Sequence, residues 1–317
     1  MLDKKSLTWF LLIAFGISWP LFIAPMAVKN NRMLYPIVMV TLFTLAMWGP
    51  GIAAILVTRL VTKKPLSSLR LKRLGPRHYY FWAWLFAPLM AAFTLGATIL
   101  LGTGVFDPNF TSIRQAMAQT PQAEGLPSIE TILMIQAIFA LTLAPLINLL
   151  PALGEELGWR GFLLPQLLPL GQWKALLLSG AIWGLWHAPA IILHGHNFPS
   201  HPYLGVLVMM VGCILLGILF GWLYLKTQSP WAPAFAHGAF NAIAPASLVF
   251  LRPEGLDTAL GGNPLGVAGW VGMAAILLVL LVLRQFDEST LSRQHNHLAH
   301  NCTPADNVPN ATKLTNL

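Results

Sequence analysis

The stretch YLGVLVMMVGCILLGILFGWLYL, Tyr203–Leu225, decides the fold class, because it is a long apolar run without a charged side chain. A helix that crosses the hydrocarbon core of a bilayer needs about 20 such residues. The whole chain shares this character, since 56% of its 317 residues are hydrophobic and only 9% are charged. A soluble domain carries roughly 25% charged residues. The sequence therefore predicts a polytopic membrane protein.

Apolar runs on both sides of this stretch predict about eight transmembrane helices in an all-α fold. Strands of a membrane barrel would alternate polar and apolar residues, and the runs lack this alternation. The first run follows a basic start without a clear cleavage site, so we expect it to remain as a span. The other predicted spans are Leu7–Val28, Leu34–Val61, Tyr79–Gly104, Ile129–Leu164, Trp173–Leu193, Trp231–Phe250 and Gly266–Leu283.

The predicted spans are expected to form one membrane domain, residues 1–284, with the functional motifs in 151–242. Residues 285–317 are polar and predict a disordered C-terminal tail, because such a segment cannot bury enough apolar surface to offset its conformational entropy. The domain boundary therefore falls just after the last apolar run.

The distribution of positive charge predicts the orientation of the chain. Loops on the cytoplasmic side of a membrane protein carry an excess of Lys and Arg. With both termini inside, most of the 19 Lys and Arg residues lie on that side, above all in the block Thr62–His78. The net charge of +8 then reflects loop topology and attraction to anionic lipid of the bilayer. No basic patch interleaved with aromatic residues is present, so a nucleic-acid partner is not expected.

One charged stretch, PALGEELGWRGFL at Pro151–Leu163, interrupts the apolar pattern. On a helix, Glu156 and Arg160 are four residues apart with the acid first, which favours an ion pair. Glu155 points about 100° away around the helix and is the less neutralised carboxylate. The spacing therefore predicts a structural role for Glu156 with Arg160 and leaves Glu155 for chemistry, because a partly desolvated carboxylate suits a general base.

Two later spans carry further polar side chains. His187 lies in SGAIWGLWHAPAIIL, whereas His237 and Asn241 lie in PAFAHGAFNAIAP, four residues apart and hence on one helix face. With about 1.5 Å of rise per residue, these side chains and Glu155 reach overlapping depths in the inner half of the membrane. We therefore expect the four to share one wet pocket that opens toward the cytosol.

Each of these residues also has a purely structural interpretation. A single intramembrane histidine is typical of a buried hydrogen-bonding residue, and a Glu–Arg pair is typical of a clasp between helices. The coincidence of depth favours a functional site, because uncompensated polar groups are costly within the membrane. The nearby tryptophans are interpreted as packing or interfacial residues; they are Trp159, Trp183, Trp186 and Trp231. The loop histidines are interpreted as solvated side chains; they are His194, His196 and His201.

Two functions other than catalysis are compatible with these motifs. A proton-coupled transporter could use the Glu and His side chains as a relay, but it would predict inverted repeats or broken helix pairs, neither of which is clear in the sequence. A non-catalytic membrane immunity or scaffold protein would keep the same residues for stability. The dependence of activity on Glu155, as opposed to Glu156, distinguishes an enzyme from a clasp.

Taken in order, the motifs resemble those of the CAAX-protease and bacteriocin-processing family, the intramembrane proteases that include the type 2 CAAX prenyl endopeptidases. The resemblance covers Pro151 to Ala242. One departure is Trp183, where phenylalanine is commonest, although the aromatic character is kept. The residues that carry the resemblance are Glu155, Glu156, Arg160, His187, His237 and Asn241.

The resemblance implies an intramembrane endopeptidase in which Glu155 and His187 activate the attacking water. His237 and Asn241 would stabilise the oxyanion, which needs donors where negative charge develops. The cofactor is open between none and Zn²⁺, whose ligands would be Glu155, His187 and His237. The absence of an HExxH helix excludes one-helix zincin geometry, and Asn241 is a better amide donor than zinc ligand. These two points favour the metal-free mechanism.

The resemblance also implies a membrane-associated peptide or protein as substrate, in an integral membrane protein. Eukaryotic members remove the last three residues after a prenylated cysteine. The plain polar tail and the lack of organelle-type extensions suit a bacterial inner-membrane member with both termini inside. The sequence identifies neither the substrate nor the oligomeric state.

Overall fold

The computed structural model describes residues 2–118 and 127–287. Within these ranges every regular segment is helical, and the isolated bridge between Phe106 and Leu251 is the only extended pairing. The prediction of an all-α membrane protein is therefore confirmed. The chain divides into a compact unit, Met1–Leu278, and a short second unit that begins at Val279. Most of the predicted tail, 288–317, lies outside the described residues.

Thirteen α-helices are present in the described part of the chain, and several continue into tighter or wider turns. The α-helices are α1 Lys4–Ile23, α2 Leu34–Ala46, α3 Gly49–Leu56, α4 His78–Leu100, α5 Thr111–Ala118, α6 Ile129–Leu141, α7 Leu143–Gly158, α8 Leu164–Leu167, α9 Gln172–Trp186, α10 Ala188–His194, α11 Leu204–Thr227, α12 Trp231–Ile243 and α13 Val267–Val282. Two π-helical turns and four 3₁₀ segments connect them; these are Val57–Val61, Trp159–Leu163, Ala24–Val28, Leu66–Leu69, Leu168–Leu170 and Ala244–Phe250.

The number of membrane-crossing helices is smaller than the eight predicted. In the described residues five helical segments are long and apolar enough to cross a bilayer, and a bent pair, Ile129–Leu141 with Leu143–Leu170, can supply a sixth. The predicted span Trp231–Phe250 divides into α12 and a 3₁₀ segment at Pro245, because proline supplies no backbone donor to an α-helix. The last apolar helix, α13, has only 16 residues. The count of eight is therefore not confirmed.

The bend between α6 and α7 follows from Pro145. A proline ring clashes with the carbonyl four residues earlier, which here belongs to Leu141, the last residue of α6. The two helices meet at Thr142 at an angle of 45°. The freed carbonyl of Leu141 accepts a hydrogen bond from Trp84 Nε1 at 2.9 Å. Pro151 lies inside α7 without ending it, so the bend between the two helices is at Pro145 and not at Pro151.

Helix α7, which carries both glutamates, packs with its backbone directly against the α2–α3 turn. A Cβ on Gly154 would lie 2.8 Å from the Met47 carbonyl oxygen and 2.9 Å from Trp48 Cα. A Cβ on Gly51 would lie 2.6 Å from the Gly154 carbonyl oxygen. Small residues allow helices in a membrane to approach this closely, and the contact holds α7 at a defined depth in the bundle.

Replacement of Gly154 by alanine should destabilise the protein by about 1–3 kcal/mol, because a methyl group must be forced into packed backbone. The matched change is Gly16→Ala in α1, where an added Cβ meets no atom within 4 Å. That substitution should be neutral or slightly stabilising, since alanine favours helices over glycine. Thermal unfolding of both variants in detergent tests the contact, and equal transition temperatures would contradict it.

Candidate active site

A buried ion cluster lies at the junction of α7 and its π-helical turn. Arg160 Nη1 donates to Glu156 Oε1 at 2.8 Å, and His237 Nδ1 lies 2.9 Å from the same oxygen. All three side chains are at least 94% buried. The guanidinium of Arg160 lies 4.4 Å from the centroid of the Trp183 ring. The Glu156–Arg160 pair expected from the spacing is therefore present, and it also holds His237 of α12.

Glu155 has different partners from Glu156. Its Oε2 accepts hydrogen bonds from Trp183 Nε1 at 2.6 Å and from Trp159 Nε1 at 3.3 Å. The side chain is 2% exposed and lines a cavity. In the described residues no cation is bonded to this carboxylate, and Oε1 remains for the cavity. The two adjacent glutamates are thus in distinct environments, as their angular separation on the helix predicts.

The two histidines each use Nδ1 to fix the ring. His187 Nδ1 lies 2.9 Å from the backbone carbonyl of Trp183, so it must carry the proton, because a carbonyl only accepts. His237 Nδ1 is bonded to Glu156. In the part of the chain that the structure describes, neither Nε2 atom has a hydrogen-bond partner, and both rings line the cavity. A fixed Nδ1 leaves Nε2 as the group presented to a ligand.

The cavity has a volume of about 410 Å³ and brings together the four residues predicted to be catalytic. Glu155 and His237 are buried at its base, His187 is half-buried, and Asn241 is exposed on the face of α12 that also carries His237. The remaining lining is largely apolar and comes mostly from α1, α2, α9, α11 and α12, with further residues from α10 and the loops. An apolar cavity with a few convergent polar groups is typical of a ligand-binding site.

The cavity reaches loop residues at one end of the helix bundle. The cavity extends to His196 and Asn197 after α10 and to Asn263 before α13. These loops lie at the opposite helix ends from the basic block Thr62–His78. The helical segment with Glu155 continues to Leu170, not Leu164, so this carboxylate lies farther from the basic end than the sequence predicts. With both termini inside, as the sequence predicts, this end of the cavity would lie toward the outside.

Metal binding at this site requires several ligands close together. In residues 2–118 and 127–287, no three His, Cys, Asp or Glu side chains are placed to hold an ion. Zinc binding by Glu155, His187 and His237 therefore stays a prediction.

The interpretation of Trp159 and Trp183 as packing residues is incomplete. Both are buried, but their indole N–H groups hold Glu155. The available sequence signal was the departure at Trp183, because tryptophan adds a donor that phenylalanine lacks. Spacing along the chain could not reveal this contact, since Trp183 and Glu155 belong to different helices. Trp186, by contrast, packs against Phe22 and Trp159.

The loop histidines are more constrained than the sequence suggests. Both ring nitrogens of His194 are bonded, to the Tyr35 hydroxyl and the Phe22 carbonyl, each at 2.7 Å. His201 Nε2 lies 2.7 Å from Asp257 Oδ2. The expectation of a solvated side chain is therefore wrong for His194, whereas the His201 side chain is 35% exposed and His196 is exposed at the end of the cavity.

Comparison with known proteins gives the same class of protein as the motifs. The chain is an integral membrane protein, and residues 134–243, from within α6 to the end of α12, match the family model described as type II CAAX prenyl endopeptidase Rce1-like. Over 85 residues it is 34% identical to a protein from Methanococcus maripaludis named CAAX prenyl protease 2. This alignment covers 25% of the chain and 31% of that relative's length. The resemblance predicted from the motifs is confirmed.

Removal of the Arg160 charge should destabilise the fold strongly. Arg160→Met leaves the buried Glu156 carboxylate without its cation, and breaking a buried pair in this way costs about 3–5 kcal/mol. The matched change is Arg59→Met, because Arg59 lies in the other π-helical turn but is exposed. Folded yield and thermal unfolding in detergent measure the effect. A similar, small loss in both variants would show that the cluster is not a stabilising centre.

The His201–Asp257 pair should make stability pH-dependent. Partial burial raises the pKa of Asp257, but hydrogen bonds from His201 and the Ala259 N–H, with the charge of His201, outweigh burial and hold this pKa below its ordinary 3.8. Because the folded pKa is depressed, the contribution is present above pH 3.8 and is lost as the pH falls through the folded value. Asp257→Asn should cost about 1 kcal/mol at pH 7.

The unfolding free energies of wild type and Asp257→Asn, measured between pH 7 and pH 3, should therefore converge at the acidic end. A difference that stays constant over this range would contradict the assignment.

Proposed function

We propose that this chain is an intramembrane endopeptidase that hydrolyses a peptide bond of a membrane-associated peptide or protein, using water activated by Glu155 and His187. The observation that supports this proposal most directly is the environment of Glu155. It is a buried carboxylate with one oxygen held by two indoles, the other available to the cavity, and no cation bonded among the described residues. The family match of residues 134–243 supports the same reaction class.

Water activation is assigned to the base of the cavity. Because His187 Nδ1 carries its proton toward the Trp183 carbonyl, Nε2 accepts a hydrogen bond from the water and orients it. Glu155 Oε1 takes the proton as the water oxygen attacks the scissile carbonyl carbon. The protonated Glu155 then gives this proton to the leaving amine, so the carboxylate is regenerated. A positioned general base of this kind contributes roughly 10²–10⁴-fold to the rate.

Stabilisation of the oxyanion is assigned to α12. Asn241 supplies amide N–H donors, and His237 donates from Nε2 when its ring is an imidazolium. The positive charge of that ring would lie against the Glu156 carboxylate, 2.9 Å from Nδ1. Glu156 and Arg160 therefore act as support for the oxyanion donors, and they do not contact the substrate.

The substrate is proposed to enter among apolar side chains of the cavity. We keep the sequence-based proposal of a bacterial inner-membrane protein with both termini inside. With that orientation, the His196–Asn197 and Asn263 end of the cavity faces away from the cytosol. The scissile bond would then reach Glu155 from the outer half of the membrane.

Replacement of Glu155 by glutamine should abolish peptidase activity while the protein remains folded, with a loss of at least about 10²-fold because the general base is removed. The assay is cleavage of internally quenched peptides, with and without a prenylated cysteine, by the full chain in lipid vesicles. Mass spectrometry of the products locates the cut bond.

Two further variants make this result specific. Glu156→Gln should lower folded yield, because it removes the acceptor charge of Arg160 and His237. Glu130→Gln, at an exposed site in α6, should retain wild-type activity. Full activity of folded Glu155→Gln, or no cleavage of any peptide by the wild type, would refute the proposed function.

A further inference from the structure

Trp183 contacts more residues of the candidate active site than its place in the sequence motif suggests. Its indole Nε1 makes the shorter of the two hydrogen bonds to Glu155, 2.6 Å against 3.3 Å from Trp159. Its backbone carbonyl accepts from His187 Nδ1 at 2.9 Å. Its ring also lies 5.4 Å from that of His237, edge to face. One residue thus contacts both groups assigned to water activation.

The end of α9 explains how a single residue reaches both groups. This helix ends at Trp186, and the His187 N–H bonds to the Gly184 carbonyl. Carbonyls in the last turn of a helix lack their normal partners, so the Trp183 carbonyl is free to accept from the imidazole four residues later. The indole of the same residue projects to α7, where Glu155 lies.

The position of the indole is itself restricted. Trp183 is 2% exposed, and the Arg160 guanidinium lies 4.4 Å from its ring centroid. On another side, the Phe220 ring of α11 lies 6.0 Å away, centroid to centroid. Because Arg160 and Phe220 restrict the ring from two other elements, its N–H points in a single direction. The donor therefore selects one oxygen of Glu155.

We propose that Trp183 is a positioning residue for water activation. Its indole N–H occupies Glu155 Oε2, so Oε1 is the oxygen that takes the proton. Its carbonyl holds the His187 tautomer in which Nε2 faces the water. This inference rests on the proposed function. It goes beyond the motif position, which requires only an aromatic ring, because the role depends on the indole donor.

Trp183→Phe tests the donor, because phenylalanine keeps an aromatic ring and the backbone carbonyl but removes Nε1–H. We expect kcat to fall roughly 10–100-fold with KM within about twofold of wild type, since a misplacement of about 1 Å can cost 10²-fold in rate. The full chain in vesicles and the same quenched peptides are used, with rates normalised to folded protein.

The matched control is Trp222→Phe. Trp222 is buried in α11, and its Nε1 has no hydrogen-bond partner in the described structure. It packs against Tyr79 and Phe86, away from the cavity lining. The same chemical change should therefore leave kcat and KM near wild type. An equal fall in both variants would overturn the inference, because loss of packing would then explain the result.

A double substitution separates positioning from a general structural effect. If Trp183 acts through the Glu155 carboxylate, Trp183→Phe should not lower the residual rate of Glu155→Gln further. A structural role would lower both backgrounds by the same factor and would overturn the inference. Wild-type kcat in Trp183→Phe would also overturn it while leaving the proposed function intact. Full activity of Glu155→Gln would instead refute the proposed function.

Discussion

The burial of the Glu156 carboxylate is the constraint on which the site depends. A carboxylate without solvent is costly unless cations and hydrogen-bond donors compensate it. Arg160 supplies the cation from the same helical segment, and His237 supplies the second contact from α12. Because Arg160 also lies over the Trp183 and Phe220 rings, this single compensated charge links α7, α9, α11 and α12. The cavity is built on that junction.

Glu155 and Glu156 have chemically distinct environments, because among the described residues the charge of Glu156 alone is compensated by a cation. Glu155 meets indole donors and the cavity, whereas Glu156 meets a guanidinium and an imidazole. Tryptophan N–H groups orient a carboxylate without adding a positive charge that would reduce its basicity. Two identical side chains, adjacent in the chain, are therefore suited to different tasks by the direction in which the helix projects them.

Several of the polar residues occur where a helix departs from regular geometry. Arg160 lies in a π-helical turn, a feature often found at functional sites. His187 follows the last residue of α9, and the bend at Thr142 separates α6 from the segment that carries both glutamates. At these points backbone carbonyls are released, and indole and imidazole donors from Trp84 and His187 bind them. Irregular backbone thus accompanies the polar chemistry inside the bundle.

The helical membrane fold was predictable because apolar runs near the length of a bilayer crossing leave little choice of secondary structure. The Glu156–Arg160 pair was predictable as well, since both residues belong to one helix and the spacing sets their separation. The number of spans was not predictable. Pro245 divides one apolar run, and hydropathy alone does not register the lost backbone donor.

What the sequence by itself determined is the class of protein and the set of polar residues for the site, since periodicity and hydropathy act along one helix. Only the tertiary structure decided that Trp183 and Trp159 hold Glu155, that His237 bonds to Glu156, and which end of the bundle the cavity reaches. Those contacts join residues of separate helices, whose relative rotation and depth depend on close packing such as that at Gly154.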